Sequence, residues 1–575
     1  MRPLILLLLS VCFLQSQAQQ LLIKNTNVVD VEKKKILAAQ TVLVTDGKIT
    51  AVDKDRMYKL PEGTTIIEGE GKYLVPGFTD AHIHFFQSGG IYARPDAIDL
   101  RKLRPYSEEI KWVHNNMEDF LRRYLSVGIT SVIDVGASNN FLQQRDSFTS
   151  KAWSPLIRMT GPLLTTWVPD QYKDLGNDAP FVEMLTEENT RKAVQDQVKL
   201  KADFIKIWYI VLDKDIEQGA RKNLALVKAA IDEAHKNNKR VAVHATERIT
   251  AQLAVEAGAD LLVHSVDDEI ISDAFVQLLK QKRTVLIPTL IVAGNYAKVL
   301  GDDYHFSTDE LNHANPELVG TIIDYPWPDT AQGLKYINML SAPKFRQNQA
   351  KMDSIMSVNL KKLIDGGVVI ATGTDAGNTG TQHATSYFIE LLAMQKAGLT
   401  LWQLLEASTI NGAKAVGQEK EWGSIAPGKT ANMILLNKNP LEDLSNWRSI
   451  DRVINKGIAY EPASVVKSTA EQLVQQQLNA YNAHDLDAFL EPYADNVELY
   501  DFPGTLIMKG KEQMRKEYLF VTQTPQLYCR LKNRLVQGNM VIDHEEVSFG
   551  GPKPAYAVAI YIIENGKISK VYFKQ

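Results

Sequence analysis

Leu74-Val-Pro-Gly-Phe-Thr-Asp-Ala-His-Ile-His84 decides how this chain is read. An apolar run enters Pro76-Gly77, and a short strand then ends in two histidines one residue apart. Side chains at i and i+2 share one face of a strand, so His82 and His84 point into the same small space. Neutral imidazole is the commonest metal ligand. A bare His-x-His is weak evidence for a metal, so the rest of the chain has to supply the partners.

From residue 76 to 414 strand-like apolar runs alternate with helix-length amphipathic stretches. The strands read from the sequence are 78–84, 129–135, 155–161, 203–209, 240–245, 261–265, 284–290 and 368–374. Alternation predicts a parallel sheet, and eight strands in one unit predict a (β/α)8 TIM barrel. An open doubly wound sheet needs a Gly-rich phosphate turn near the first strand, and Gly89-Gly90 does not supply one.

Active sites of such barrels sit at the C-terminal ends of the strands. The polar residues there are His82 and His84, Lys206 in Asp203-Phe-Ile-Lys-Ile-Trp-Tyr, His244 after Val241-Ala-Val, His264 after Leu261-Leu-Val, and Asp375 after Ala371-Thr-Gly-Thr. Taken singly, each has an ordinary explanation. A buried histidine is often a hydrogen-bonded core residue, and Asp375 suits a helix cap. Lys206 lies in an apolar strand with Phe204 and Trp208 on its own face, where a lone ammonium is costly. Jointly the six predict a metal site.

Four neutral imidazoles do not balance two divalent cations, so anionic ligands are needed. Asp375 supplies one. Lys206, carboxylated by CO2 to N6-carboxylysine, would supply a second that bridges two ions. The expectation is two divalent ions, Zn2+ by preference, about 3.5–4 Å apart. His82, His84 and Asp375 hold one; His244 and His264 hold the other. A hydroxide between them is the nucleophile, and Asp375 is the catalytic base that passes its proton to the leaving amine.

The flanks read differently. Residues 19–75 and 415–460 are short β-branched runs, expected to form a β-sandwich from both ends of the 76–414 segment. Residues 1–18 read as a secretory signal: Arg2, the apolar run from Leu4 to Leu14, then Ser16-Gln17-Ala18. That predicts a secreted or periplasmic protein. After cleavage only Cys529 remains, which leaves no internal disulfide. No other run is long and apolar enough to span a bilayer, so an integral membrane protein is not expected. The net charge is −4 with no basic block, so nucleic acid is not an expected partner. Residues 291–360 are long for one connection and rich in Tyr, including Tyr296, Tyr304, Tyr325 and Tyr336, with Trp327. They are expected to form a partly helical lid.

Residues 20–460 resemble the amidohydrolase superfamily, in its imidazolonepropionase-like and Xaa-Pro-dipeptidase-like branch. The resemblance rests on Val75-Pro-Gly-Phe-Thr-Asp-Ala-His-Ile-His84, Gly128-Ile-Thr-Ser-Val-Ile-Asp134, Ala202-Asp-Phe-Ile-Lys206, Val243-His-Ala245, Val263-His264, Gly373-Thr-Asp375 and Ala407-Ser-Thr-Ile-Asn-Gly-Ala-Lys-Ala415. It implies the same ligand set, with carboxylated lysine in the two-metal members. Related dipeptidases carry a Gly-Gly-His loop after the third strand, whereas this chain reads Gly161-Pro-Leu-Leu-Thr-Thr-Trp-Val-Pro169. A standard dipeptide substrate is therefore in doubt. Tyr209 and His383 are the candidate substrate contacts, with His383 also suited to a supporting position near the metals.

A linker at Glu461-Pro-Ala-Ser leads to a separate unit, residues 465–575, with two helices and then strands. Tyr481-Asn-Ala-His-Asp-Leu-Asp-Ala-Phe and Tyr493-Ala-Asp-Asn-Val-Glu resemble the NTF2-like, SnoaL-type family, which implies an α+β cone with a curved antiparallel sheet. Asp501 and Tyr481 fall near the base and phenol of isomerases with that fold, but Ala559 stands where a second acid belongs. Homo-oligomer formation or small-ligand binding is the expected role of this unit. The function expected of the whole is metal-dependent hydrolysis of C–N bonds in small amides, N-acyl amino acids or peptides. The alternatives are a deaminase, lactonase or cyclic-imide hydrolase on the same scaffold, or a non-catalytic binding protein acting through the NTF2-like unit.

Overall fold

The first described strand buries Leu21, Leu22, Ile23, Val28 and Val29, together with Thr26, while Lys24, Asn25 and Asn27 between them are at least partly exposed. The computed structural model describes residues 20–54, 56–324 and 330–574. The expected signal at 1–18, Tyr325 and Trp327 lie outside the described residues. The first strands are β1 (Gln20–Asp30), β2 (Lys35–Thr45), β3 (Lys48–Lys54), β4 (Thr65–Glu68) and β5 (Tyr73–Pro76). Then come β6 (Phe78–Ile83), β7 (Ile129–Asp134), β8 (Leu156–Met159), β9 (Leu163–Thr165), β10 (Phe181–Glu183), β11 (Ile205–Trp208), β12 (Val241–His244), β13 (Leu261–Val263) and β14 (Val285–Ile287). After a helical stretch the chain returns to β15 (Met433–Leu436), β16 (Ile450–Asn455) and β17 (Ile458–Tyr460).

Strands from the two flanks join in one sheet, ordered β17-β16-β15-β5-β1-β2-β3, with β4 also on β1. The sequence predicted a sandwich of two sheets; hydrogen bonding makes a single eight-stranded one. The reason lies in β1. It shifts register between Ile23 and Thr26 and again before Val28, so one half pairs with β4 and the other with β5.

The central segment is parallel. Its ladders run β6-β7-β8 and β10-β9-β11-β12-β13-β14. Every residue of β6 and β7 is buried, as parallel strands covered on both faces require. The Asp203 N–H donates to the Met159 carbonyl at 2.9 Å, linking the two ladders. The eighth run, 368–374, forms no ladder strand, only the isolated bridge Leu286↔Ile370. Its backbone still bonds both neighbours: Ala371 N–H to the Leu286 carbonyl at 2.9 Å, and Ala81 N–H to the Thr372 carbonyl at 2.8 Å. At Thr374 the Asp80 carboxylate accepts the N–H in place of a strand carbonyl, and bonding to β6 resumes with the Asp375 N–H on the His82 carbonyl at 2.7 Å. Helices cover the sheet through 3- and 4-spaced apolar faces. Helix Tyr106–Ser126 buries Ile110, Val113, Met117, Phe120 and Tyr124.

The region expected to form a lid is helical over most of its described residues, and part of it packs against the last unit. Leu311 of helix Thr308–His313, Val319 of helix Pro316–Ile323 and Ala314 between the two share one core with Leu473, Val474 and Ala480 of helix Ala470–Asn482. Asn479 Nδ2 donates to the Pro316 carbonyl at 2.7 Å. On its other side, Thr321 Oγ1 accepts the Ile91 N–H at 3.2 Å. The last unit holds β18 (Tyr493–Asp501), β19 (Thr505–Lys509), β20 (Leu527–Gln537), β21 (Met540–Phe549), β22 (Ala555–Glu564) and β23 (Lys567–Lys574), ordered β19-β18-β23-β22-β21-β20. The sheet is mixed, not purely antiparallel, because β18 and β23 run parallel. Among the described residues no helix is long and apolar enough to cross a membrane.

Candidate metal centre

His82 and His84 sit at the end of the wholly buried β6 and just beyond it, 0% and 7% exposed. His84 Nδ1 lies 2.9 Å from the Gly136 carbonyl oxygen. A carbonyl only accepts, so Nδ1 carries the proton and Nε2 presents a lone pair. That Nε2 is 3.3 Å from His82 Nε2 and 3.1 Å from Asp375 Oδ1. His82 Nε2 stands 3.3 Å from the same carboxylate oxygen. Asp375 Oδ1 and His82 Nδ1 are buried without a hydrogen-bond partner. The three residues offer ligand atoms all within 4.8 Å of one another. Buried acceptors turned on each other repel; a divalent cation among them removes the repulsion, so this donor set fits a metal.

Asp375 reaches the trio from a strained backbone, at φ +62°, and His264 does the same at φ +79°. Left-handed conformations are uncommon in residues other than glycine and gather at functional sites. His264 Nδ1 is 2.7 Å from Thr289 Oγ1 and 4.0 Å from Asp375 Oδ2. Its ring centre is 4.9 Å from that of His82 and 4.4 Å from that of His244. Lys206 is 1% exposed and alternates with Ile205 and Ile207, so it shares the strand face of Phe204, which packs with Ala81, Ala242 and Val263. His264 and His244 therefore lie next to the trio by ring distance, and Lys206 lies on the strand that pairs with that of His244. His82, His84 and Asp375 form the tight group; His244 and His264 lie beside it.

Burial drives the His82 and His244 imidazoles far below their ordinary pKa and takes His264 down to about 3. Burial also lowers Lys206 to about 7, against the pull of the Asp375 carboxylate. Burial alone would raise Asp375, yet the imidazoles of His82, His84 and His264 hold it well below the usual carboxylate range. His82, His244 and His264 are thus held neutral and Asp375 ionised at neutral pH, the forms that bind metal.

Two aspartates that the sequence reading quoted but gave no task hold the ligands in place. Asp80 accepts the Thr374 hydroxyl at 2.7 Å and the Thr374 N–H at 3.0 Å, tying the Asp375 segment to β6. Asp134 accepts the Phe85 and Gly136 N–H groups, each at 3.0 Å, and so fixes both sides of His84. An aspartate two residues before a histidine in an apolar strand was the signal available. Glycine is required at 373, where a Cβ would lie 2.7 Å from the Cβ of His82.

The two expected substrate contacts are corrected. Tyr209 is fully buried and its hydroxyl donates to the Ala220 carbonyl at 2.5 Å, so it packs a helix against β11. His383 is buried against Phe85 and Phe120, its Nε2 donating to the Gln87 carbonyl at 2.9 Å and its Nδ1 accepting from Tyr124 at 3.0 Å. Both side chains are spent on the fold. In the last unit Asp501 is exposed, which does not suit a buried base. Tyr481 instead lines an aromatic cavity of about 380 Å³ with Phe489, Tyr493 and Tyr518. Its buried acid is Glu545, which accepts from the Tyr561 hydroxyl at 3.0 Å.

Residues 73–459 match the amidohydrolase family, and residues 474–571 match a SnoaL-like domain. An enamidase from Eubacterium barkeri is 24% identical over 239 residues, 40% of this chain and 53% of that protein. An imidazolonepropionase from Shouchella clausii is 34% identical over 95 residues, 16% of this chain and 21% of that protein. The chain therefore spans about half or less of the length of these relatives. The crystal structure of a Xaa-Pro dipeptidase with bound methionine shares the fold at a TM-score of 0.56 and 22% identity, covering 77% of this chain and 100% of its own. With more than half of its length matched, and with the family's histidine and aspartate positions meeting at one strand end, this chain belongs to the amidohydrolase family and carries a SnoaL-like domain after it.

Proposed function

We propose that this protein is a metal-dependent hydrolase of C–N bonds in small amides, N-acyl amino acids or peptides. The observation that carries the reading is the convergence of His82, His84 and Asp375 with ligand atoms within 4.8 Å. In the same reading the parallel segment is a (β/α)8 barrel, because the 369–376 run bonds β14 on one side and β6 on the other. The SnoaL-like domain is an NTF2-like cone that binds a small apolar ligand or pairs with a second copy. The signal at 1–18 makes the protein secreted or periplasmic.

His82, His84 and Asp375 would hold one divalent ion; His244, His264 and Lys206, the last as N6-carboxylysine, would hold a second. Zinc is the proposed metal. Bound there, it would polarise the scissile carbonyl and acidify water. Asp375 takes the proton released by the attacking water and delivers it to the leaving nitrogen. Gly136 keeps the His84 proton on Nδ1, and the apolar walls around Lys206 exclude bulk water. The second reading is a deaminase, lactonase or cyclic-imide hydrolase on the same scaffold, and the name of one relative, a 5-methylthioadenosine/S-adenosylhomocysteine deaminase, favours the first of these.

The test is turnover by the zinc-loaded, full-length protein on dipeptides, N-acyl amino acids, lactones and nucleobases, with Asp375→Asn as control. Amide or peptide hydrolysis lost in the variant is the expected result. Turnover confined to lactones or nucleobases would transfer the assignment to the second reading. No turnover with metal bound would overturn both and leave a binding protein.

A further inference from the structure

Lys206 and Trp208 lie two residues apart on β11 and so share a face. Lys206 faces the metal ligands, which puts Trp208 one step nearer the mouth of the site. The strand register agrees: Trp208 stands opposite His244 on one side and Thr165 on the other. Its ring centre is 6.1 Å from that of His244. From Trp208 the contacts continue to Phe181 at 5.0 Å, from Phe181 to Phe86 at 6.4 Å, and from Phe86 to His84 at 5.5 Å. An unbroken aromatic arc thus runs from a ligand of the first metal to a ligand of the second. Trp167, 40% exposed, extends it outward and lies 6.0 Å from Trp208 at a tilt of 33°.

Trp208 and Phe181 are only partly buried, and their rings are tilted by the same modest 33°. Apolar faces left open beside a catalytic centre mark a binding wall, and flat faces are best covered by a flat partner. The charge nearby is already used. Arg94 is bidentate to Asp96, with contacts of 2.7 and 2.6 Å, and donates to Tyr296 at 2.7 Å and to Asn378 at 2.5 Å. Asn378 in turn holds the Asp375 carbonyl at 2.9 Å. A substrate carboxylate would find that guanidinium committed, whereas an aromatic ring would find an open wall.

We propose that this wall selects amides bearing a flat aromatic ring next to the scissile bond, with the ring against Trp208 and Phe181 and Trp167 at its outer edge. The inference rests on the hydrolase reading above, and its experiment separates the two. The zinc-loaded full-length protein is assayed on N-benzoylglycine beside N-acetylglycine, and on acetanilide beside N-propylacetamide. In at least one pair the aromatic member should have a kcat/KM roughly tenfold above its partner. Trp208→Leu and Phe181→Leu should bring that ratio toward one, chiefly through KM, and Trp208→Phe should restore most of it. A ratio near one in the wild type, or one that the leucine variants leave unchanged, overturns the wall. Equilibrium dialysis of benzanilide against the full-length protein supplies the second measurement. If no amide is hydrolysed but benzanilide binds saturably and Trp208→Leu abolishes that binding, the wall stands and the hydrolase reading falls. If benzanilide does not bind, the wall falls whatever the turnover.

Discussion

The backbone carbonyl of His82 accepts the Asp375 N–H at 2.7 Å, while the side chains of the same two residues meet at 3.3 Å. One interstrand bond therefore sets the spacing of two ligands that lie nearly three hundred residues apart in sequence. Because the backbones are fixed, Asp375→Asn should fold and keep this bond while losing its anionic ligand. We expect turnover to fall roughly a thousandfold and zinc content to drop, read by kinetics and metal analysis on the same sample. Wild-type activity in the variant would remove Asp375 from the mechanism.

Lys206→Met keeps the stem of the side chain and removes the amine that CO2 would modify. Metal content should fall by about half relative to the wild type. A crystal of the wild type grown with bicarbonate should show density continuing beyond Nζ. An unmodified lysine with unaltered metal content would reduce the centre to one ion.

Asp134 touches no ligand atom at bonding distance, yet it holds the N–H groups of Phe85 and Gly136 on either side of His84. Asp134→Ala frees both loops and with them the carbonyl that orients the imidazole. Zinc affinity should weaken roughly 10–100-fold, measured by competition with a chelator. Unchanged affinity would show that packing alone orients His84.

Glu545 gives a pH test far from the metals. Burial raises its carboxyl from 4.5 to about 7, with Asp543 adding to the rise and the Tyr561 hydroxyl opposing it. A carboxyl raised in the folded state contributes stability in full below the unfolded value, and that contribution is lost as pH climbs from about 4.5 through 7. Glu545→Gln cannot ionise and escapes the loss. Its stability relative to the wild type should therefore grow with pH between 5 and 8, by roughly 3 kcal/mol at most. Parallel denaturation curves across that range would refute the shifted carboxyl.

Val474 is fully buried in the core shared by the helical insertion and the SnoaL-like domain. Val474→Asp places a carboxylate there without a partner and should cost more than about 3 kcal/mol. Because both units contribute to that core, limited proteolysis should open the linker near Glu461 in the variant before either unit is degraded. Resistance equal to the wild type would mean the two units do not depend on each other.

The order of elements and the trio His82, His84 and Asp375 were legible in the chain itself. Apolar runs of strand length alternate with amphipathic helices, and polar residues interrupt the apolar pattern at or near the strand ends, where His82 and Lys206 are nonetheless buried. The sequence could not say that β1 would shift register and fuse two expected sheets into one, since that depends on which strands compete for its edges. Nor could it retire Tyr209 and His383, whose polar atoms are claimed by Ala220 and Gln87, partners distant or undistinguished in the sequence. The left-handed turns at His264 and Asp375, the support from Asp134, and the aromatic arc from His84 to His244 belong to tertiary structure alone. Residue type decides what chemistry a side chain can perform, but the packing of the surrounding chain decides what it faces and whether its lone pairs are left free.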